Sequence, residues 1–375
     1  FNLSDLERND LLYLAKKLYE ESEIGINYTE WLDIGHQATY PITRIKSINS
    51  RFFNKLIYDS EKNTIKKKSK NKQKIYEEIS FYKTIPNEIK RYFPMIFNIS
   101  EEKEVNTYEM EYLSKPNLSE IYLFSSIGPN AVVRIINSIK RVFETFYEKN
   151  NFAEENVSWL YSLKTISRES EIKKILKKKE YKILEEIYNK DFVLNNIKFP
   201  SLGKSFSLLE KKLKNFENMR PLHIGHGDLC FNNILVDPLY GSINLIDPKA
   251  EEHKSFKKFG LVDNFYDLSK LNHSIEGFYD SIVNDLFSLK VPNINHISLE
   301  VYKPSDYDIY NYYFRNIIID RKIDNEILKL LTGNLFLSML PMHLDNIKRV
   351  ISLALLGSIY INHYDLKKVF KWFIE

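Results

Sequence analysis

What this chain has little of sets the first limits. One cysteine, Cys230, in 375 residues excludes an internal disulfide framework and any metal site built from several thiolates, and makes a reducing cytoplasm the expected location. No stretch is long and apolar enough to span a bilayer. The longest apolar run, 350–361, is interrupted by Ser352, Gly357 and Ser358 and reads as a buried helix. Proline-rich and Gly/Ser-rich linkers are missing, and so are internal repeats, so the parts of the molecule are expected to be closely coupled. Neither sign of charge dominates, since 54 Lys and Arg stand against 50 Asp and Glu. The excess of +4 is concentrated in KNTIKKKSKNKQK at 62–74. That run has no interleaved aromatics, so a solvated hairpin and helix start fit it better than a nucleic-acid surface. No targeting segment is visible, and the chain starts at Phe1 rather than Met, which leaves a longer parent polypeptide open.

What is present is a single dense motif. His226, Gly227 and Asp228 are followed by Leu229, Cys230, Phe231, Asn232 and Asn233, and then by ILVD at 234–237, PLYG at 238–241 and INLIDP at 243–248. Apolar residues alternate at Ile234, Val236, Ile243 and Leu245 on either side of the turn, which predicts a hairpin whose pairing brings Asn233 and Asp247 to one end. An Asp, an Asn five residues later and a second Asp on a hairpin are what phosphoryl transfer asks of a protein: positioning and charge neutralisation. Asp228 would orient or accept the proton of an attacking hydroxyl. Asn233 and Asp247 would offer hard oxygens to Mg²⁺. An ordinary surface hairpin with polar ends also contains Asp and Asn; the preceding His-Gly and the closing Ile-Asp favour the catalytic reading.

HGDLCFNNIL together with LIDP resembles the aminoglycoside phosphotransferase and choline kinase superfamily. KIYEEISFYKTIP, YEMEYL, YDLSKLNHSIEGFYD and LFLSMLPMHLD are similar, more narrowly, to phosphotransferases encoded with bacterial capsule and surface-polysaccharide genes. The resemblance runs over roughly residues 30 to 360, with its specific part at 226–247. It implies a protein-kinase-like two-lobe α+β fold with a small antiparallel-sheet N-lobe, 1–112, and a larger, mostly helical C-lobe, 113–375. The C-lobe would carry the catalytic loop at 226–233 and the metal hairpin at 234–248. It also implies ATP or GTP with Mg²⁺ and transfer to a hydroxyl of a small molecule. One departure from the protein-kinase pattern concerns the loop over the phosphates, for which the candidate turn here, Ser47-Ile48-Asn49-Ser50, is not glycine-rich.

A length of 375 residues and 43% hydrophobic content allow more than one core, in line with two lobes. Residues 3–22 have the apolar spacing of an amphipathic helix. Strands are expected at 39–48, 51–58 and 64–69, with a turn at 60–63. On the third strand Ile65, Lys67 and Ser69 share a face, so Lys67 is the preferred phosphate-binding lysine, with Lys66, Lys68 and Lys55 as competitors. Glu78, on a helix expected at 73–85, is placed to pair with it. A strand pair at 95–99 and 107–112 follows, and by the resemblance the backbone at Glu111 and Leu113 would meet the nucleotide base. From 118 onward the pattern is read as helical, with segments at 131–149, within 167–190 and at 208–217. The Lys/Glu-rich piece 169–186 is read as one exposed helix. Asp267 would brace the catalytic loop from behind, and His226 is read as a buried hydrogen-bonding prop rather than a proton carrier.

Acceptor choice is expected to lie in 150–200 and 270–375. There His273, Glu276, Tyr279, Asp280, His343 and Asp345 are polar groups on apolar helical stretches. Carboxylates among them would suit a sugar, an amino sugar or an amino alcohol. The expectation is therefore a small-molecule kinase of surface-polysaccharide biosynthesis, with neither nucleic acid nor membrane as partner. Three alternatives are a resistance-type aminoglycoside kinase, a catalytically silent nucleotide-binding module and a nucleic-acid binder using the lysine run at 62–74.

Overall fold

A computed structural model describes residues 43, 54–97, 107–148, 151–363, 366–369 and 371–373. The chain divides into two compact units, Phe1–Asn49 and Ser50–Glu375, and everything below concerns the second. The expected helix at 3–22, the strand at 39–48 apart from the single described residue Thr43, and the turn at Ser47-Ile48-Asn49-Ser50 lie outside the described residues.

The first sheet is antiparallel, in the order β1 (Asn54–Asp59), β2 (Thr64–Ser69), β4 (Thr107–Glu111), β3 (Ile96–Phe97). The β1–β2 turn is set by local chemistry: Asp59 Oδ1 accepts from the Glu61 and Lys62 amides at 3.0 and 3.1 Å, and Asn63 closes it at φ +51°, a conformation asparagine tolerates. Along β2 the side chains of Ile65, Lys67 and Ser69 are buried, whereas Lys66 and Lys68 are exposed, the period of two that a half-covered strand imposes. Asn71 caps α1 (Lys72–Thr84) by accepting from Lys74 N at 3.1 Å, as N-caps do. Ile75, Ile79 and Phe81 of α1 pack into the core behind the sheet.

Residues 113–117 then run against the hairpin of β9 (Ile234–Val236) and β10 (Ile243–Leu245). Val236 N donates to Pro116 O at 2.9 Å and Lys115 Nζ to Asn244 Oδ1 at 2.8 Å. After α2 (Leu118–Phe124) and α3 (Pro129–Phe143), a π turn at Glu144–Glu148 leads to β5 (Asn151–Glu155). Next come α4 (Ser162–Leu176), α5 (Lys182–Asn189), the hairpin β6 (Phe192–Leu194) and β7 (Ile197–Phe199), and α6 (Leu202–Phe216). Strand β8 (Arg220–Ile224) pairs with both β5 and β13 (Leu261–Val262). Between β10 and β13 lies the small hairpin of β11 (Glu252–His253) and β12 (Lys258–Phe259). Downstream are α7 (Asn264–Ile275), α8 (Tyr279–Val283), β14 (Phe287–Lys290), β15 (Ser298–Tyr302), α9 (Tyr307–Asp320), α10 (Asn325–Ser338), α11 (Ile347–Ile361) and β16 (Lys371–Phe373), the last parallel to β15.

The centre of the helical part is the α10–α11 pair. Helix α11 is buried from Val350 to Ile361, as its apolar run predicts. Gly357 lets it approach α10 closely, because a Cβ there would lie 2.5 Å from Leu337 Cδ2. Among the described residues no helix is long and apolar enough to cross a membrane.

Two expectations need correction. The piece 169–186 is two helices rather than one: α4 ends at Leu176, in front of the three consecutive lysines 177–179, and α5 restarts at Lys182. Like charges in adjacent positions give a helix no supporting pairs, while Glu169 and Lys173 pair one turn apart at 2.9 Å and Ile172, Leu184 and Ile187 are fully buried, so the segment is held by its apolar face together with that pair. The chain beyond 118 also contains strands that the helical reading passed over. Strand β15 carries the clearest missed signal, Leu299 and Val301 buried between Ser298 and Glu300.

Candidate active site

Lys67 projects from β2 and is buried with Glu78 of α1, to whose Oε2 its Nζ donates at 2.8 Å. Tyr108 of β4 donates to the same oxygen at 2.8 Å, and Lys74 Nζ lies 3.6 Å from Oε1. Lys67 also bonds Asp247 Oδ1, a residue 180 positions later. Burial alone would depress the Lys67 ammonium; Asp247 and Glu78 outweigh it and hold the group above its usual range, as opposite charges in a low-dielectric site do. Lys66 and Lys68 face outward, and the Lys55 side chain lies outside the described residues.

Asp247 reaches Lys67 because its backbone leaves the ladder. Ile246 N still donates to Asn233 O at 3.0 Å, but Asp247 takes φ +57°, a left-handed conformation that aspartate adopts more readily than most side chains. Its carboxylate remains half exposed. The Lys67 ammonium lowers its pKa against the opposing effect of burial. The hairpin is anchored at its tip, where Ser138 Oγ donates to Gly241 O at 2.7 Å.

Asp228 sits in the loop before β9. Burial raises its pKa, and Lys270 of α7 overrides that with an ion pair of 2.8 Å to Oδ1, so the carboxyl lies well below the usual carboxylate range. Asn233 Nδ2 donates to Asp228 O at 2.8 Å and to Oδ2 at 3.2 Å, which leaves the amide oxygen as the end able to ligate a cation. His226 joins the loop to the hairpin. Its Nε2 is 2.9 Å from Ile246 O, next to Asp247, and its Nδ1 is 3.2 Å from Asp228 N. Nδ1 therefore accepts and Nε2 carries the proton. Burial lowers the pKa of His226, consistent with a neutral ring that orients its neighbours.

Behind the loop, the buried Asp267 accepts from His226 N at 2.8 Å, Gly227 N at 3.2 Å and Leu229 N at 3.3 Å, and from the Tyr147 hydroxyl. Tyr147 is delivered by the π turn at Glu144–Glu148, a distortion common beside functional groups. Gly227 permits the loop's bend at φ +72°, where a Cβ would lie 2.8 Å from Lys249 Cβ.

The remaining expected positions divide. Glu111 N donates to Met95 O at 2.8 Å, so its amide is engaged and only its carbonyl is left to meet a base; Leu113 follows just after β4. His273 is buried and stacked on Tyr279 with ring centroids 4.3 Å apart, and burial pushes its pKa well down. His343 packs edge-on to Tyr279, with ring centroids 6.3 Å apart. Asp280 is fully buried, which raises its carboxyl to about 6. Glu276 pairs with Arg315. Asp345 is exposed and pairs with Arg349 at 3.2 Å, so the structure does not gather it with the others. Sequence reasoning missed Lys270, Tyr147, Lys164 and Lys249. Lys270 lies within YDLSKLNHSIEGFYD, one helical turn before His273, and that spacing was its available signal.

The small antiparallel sheet with its lysine and glutamate, set over a helical body that presents an Asp-Asn loop and an Asp hairpin, defines a two-lobe α+β architecture of the protein-kinase-like class. More particularly, the chain is similar to solved structures of the aminoglycoside phosphotransferase APH(4)-Ia. The apo form of a thermostable mutant superposes with a TM-score of 0.50 at 10% identity, over 85% of this chain and 97% of that one. A ternary complex of that enzyme with AMP-PNP and hygromycin B gives 0.50 at 9% identity, over 86% and 97%. At such identities the likeness is one of fold. No protein-family profile matches the chain, and no curated protein matches its sequence significantly.

Proposed function

We propose that the protein is a nucleotide- and Mg²⁺-dependent kinase that transfers the γ-phosphoryl group of ATP, or GTP, to a hydroxyl of a small molecule. The acceptor would be a sugar or related compound of surface-polysaccharide biosynthesis. The observation that carries this reading is the convergence of Lys67, Glu78 and Asp247 on one ion-pair cluster, with the Asp228 loop tied to the same hairpin through His226. The likeness to a fold in which APH(4)-Ia binds AMP-PNP and hygromycin B supports it, and so do the hard oxygen donors of the site.

Lys67, oriented by Glu78, would contact the nucleotide phosphates, and the Glu111 carbonyl with the Leu113 amide would meet the base at the junction of lobes 1–112 and 113–375. A carboxylate from Asp247 and an amide oxygen from Asn233 suit Mg²⁺, which takes few protein oxygens and keeps water or phosphate oxygens for the rest. When bound, the ion would neutralise phosphate charge. Asp228 would hold the acceptor hydroxyl. In the transfer, the bond from the acceptor oxygen to the γ-phosphorus forms, the bond from the γ-phosphorus to the β–γ bridging oxygen breaks, the nucleoside diphosphate leaves, and the hydroxyl proton passes to Asp228. Because Lys270 keeps Asp228 ionised and weakly basic, its work before the transition state is orientation, with proton uptake late, as a loose transition state allows.

The test is release of ADP from Mg²⁺-ATP on addition of small alcohols, with the product identified by mass spectrometry and with Asp228→Asn as control. Absence of ADP release with any acceptor or water, alongside intact Mg²⁺-ATP binding, would assign the protein to silent nucleotide-binding modules instead.

A further inference from the structure

We infer that the acceptor carries an oxyanion, a carboxylate or a phosphate, and that Lys164 is the residue that binds it. This rests on the kinase reading for the word acceptor, but the anion site stands on its own geometry. Lys164 lies near the start of α4, and its Nζ is 2.7 Å from the Tyr266 hydroxyl and 5.2 Å from the centroid of that ring. Lys249, two residues beyond Asp247, has its Nζ 5.7 Å from the centroid of the same ring. Lys270, one helical turn after Tyr266, holds Asp228. One buried tyrosine thus gathers two ammonium groups, with a third just beyond it on the same helix.

The charges around Lys164 explain what this arrangement can accept. Lys270, Asp228, Glu251 and Arg168 are the charged groups that weigh most on it. Asp228 is taken by Lys270, Glu251 by Lys249 at 3.2 Å, and Arg168 by Glu171 at 3.1 Å. Among the described residues no carboxylate lies within ion-pair distance of Lys164, whose close partner is a neutral phenol. His273 and Tyr279, on the other side of Lys270, add no charge, since burial keeps the imidazole neutral and the phenol protonated. A part-buried ammonium without a carboxylate partner, beside two lysines whose own charges are met by Asp228 and Glu251, disfavours a cationic amine and lacks a counter-ion that an oxyanion supplies. The same feature distinguishes this lysine cluster from a carboxylate-lined site suited to a polyamine such as an aminoglycoside.

The experiment is calorimetric titration of the full chain, loaded with AMP-PNP and Mg²⁺, with glucose 1-phosphate, glucuronate, glucose and glucosamine. The oxyanions are expected to bind and glucosamine to bind at least about tenfold more weakly, and the tighter of the two oxyanions names phosphate or carboxylate as the recognised group. Lys164→Gln should lower oxyanion affinity by about tenfold or more, the loss of one charge-assisted bond, and Lys164→Arg should recover most of it. If Lys164→Gln does not fold, Lys249→Gln provides the same reading with a smaller loss. Glucosamine binding as tightly as the oxyanions, binding of neither oxyanion, or unchanged affinity in the glutamine variants would overturn the inference. Oxyanion binding without ADP release from ATP would keep the anion site and remove the kinase reading.

Discussion

The two faces of the Asp228 loop treat positive charge in opposite ways. On one face Lys67 is buried between Glu78 and Asp247, so its charge is balanced within the protein and its pKa is held up. On the other face Lys164 is part-buried against the Tyr266 hydroxyl, and burial together with Lys270 pulls it down to about 8. The internally balanced lysine belongs to machinery that must be rigid before any ligand arrives. The unbalanced one is a group whose counter-charge comes from outside. On the proposed function, charge balance would separate the part of the site that organises the reaction from the part that selects what reacts.

The largest effect that tests this division is expected at the loop itself. Asp228→Asn should reduce turnover by about 10²- to 10⁴-fold with Mg²⁺-nucleotide affinity largely retained, read by single-turnover kinetics and nucleotide titration. Turnover near wild type would remove Asp228 from the role of orienting the acceptor. On the balanced face, Lys67→Met strands Glu78 in the interior beside Tyr108, with Lys74 only partly compensating. It should cost about 3 kcal/mol of stability, measured by urea unfolding, and should also weaken ATP binding. Asp247→Ala should cost less stability than Lys67→Met, because its carboxylate is half exposed and Glu78 still pairs Lys67, and should raise the Mg²⁺ concentration needed for nucleotide binding. An unchanged metal dependence would take Asp247 out of the metal site.

The unbalanced face is tested by pH. Lys164 is charged below about pH 8 and neutral above it, so KM for an oxyanion acceptor should be low and flat up to about pH 8 and climb above it. A neutral acceptor should show no such rise. Lys270 and Asp228, which also act on Lys164, are driven by their mutual ion pair away from this range on opposite sides, so the inflection belongs to Lys164. A KM that falls above pH 8 would contradict the sign of the argument.

The balanced face was also the legible one. Lys67 follows from the alternation of six residues on one strand, and the hairpin from four apolar positions around a turn. Asp228, Asn233 and Asp247 stand within twenty residues of one another. Short-range periodicity and turn chemistry are enough for such features. The unbalanced face is assembled from α4, α7 and Lys249 after the hairpin, with Lys164 102 positions from Tyr266, and nothing in the local spacing of Lys164 or Lys249 distinguishes them from the many solvated lysines. The same reason explains the strands missed at Asn151–Glu155 and Arg220–Ile224: each is short, and their pairing with one another spans the whole of α4 to α6.

Tyr147 gives the smallest and most discriminating test, because it belongs to neither face. Its hydroxyl bonds Asp267, which also takes the amides of His226, Gly227 and Leu229. Tyr147→Phe removes one of four donors to a carboxylate that keeps the other three, so the loop should stay in place at a cost of about 1 kcal/mol in stability. If the loop serves both faces equally, kcat should fall only a few-fold, with KM for nucleotide and for acceptor moving together. A change confined to acceptor KM would mean that Asp267 positions Asp228 and Lys270 without governing the hairpin. That outcome would uncouple the loop from the hairpin to which His226 ties it.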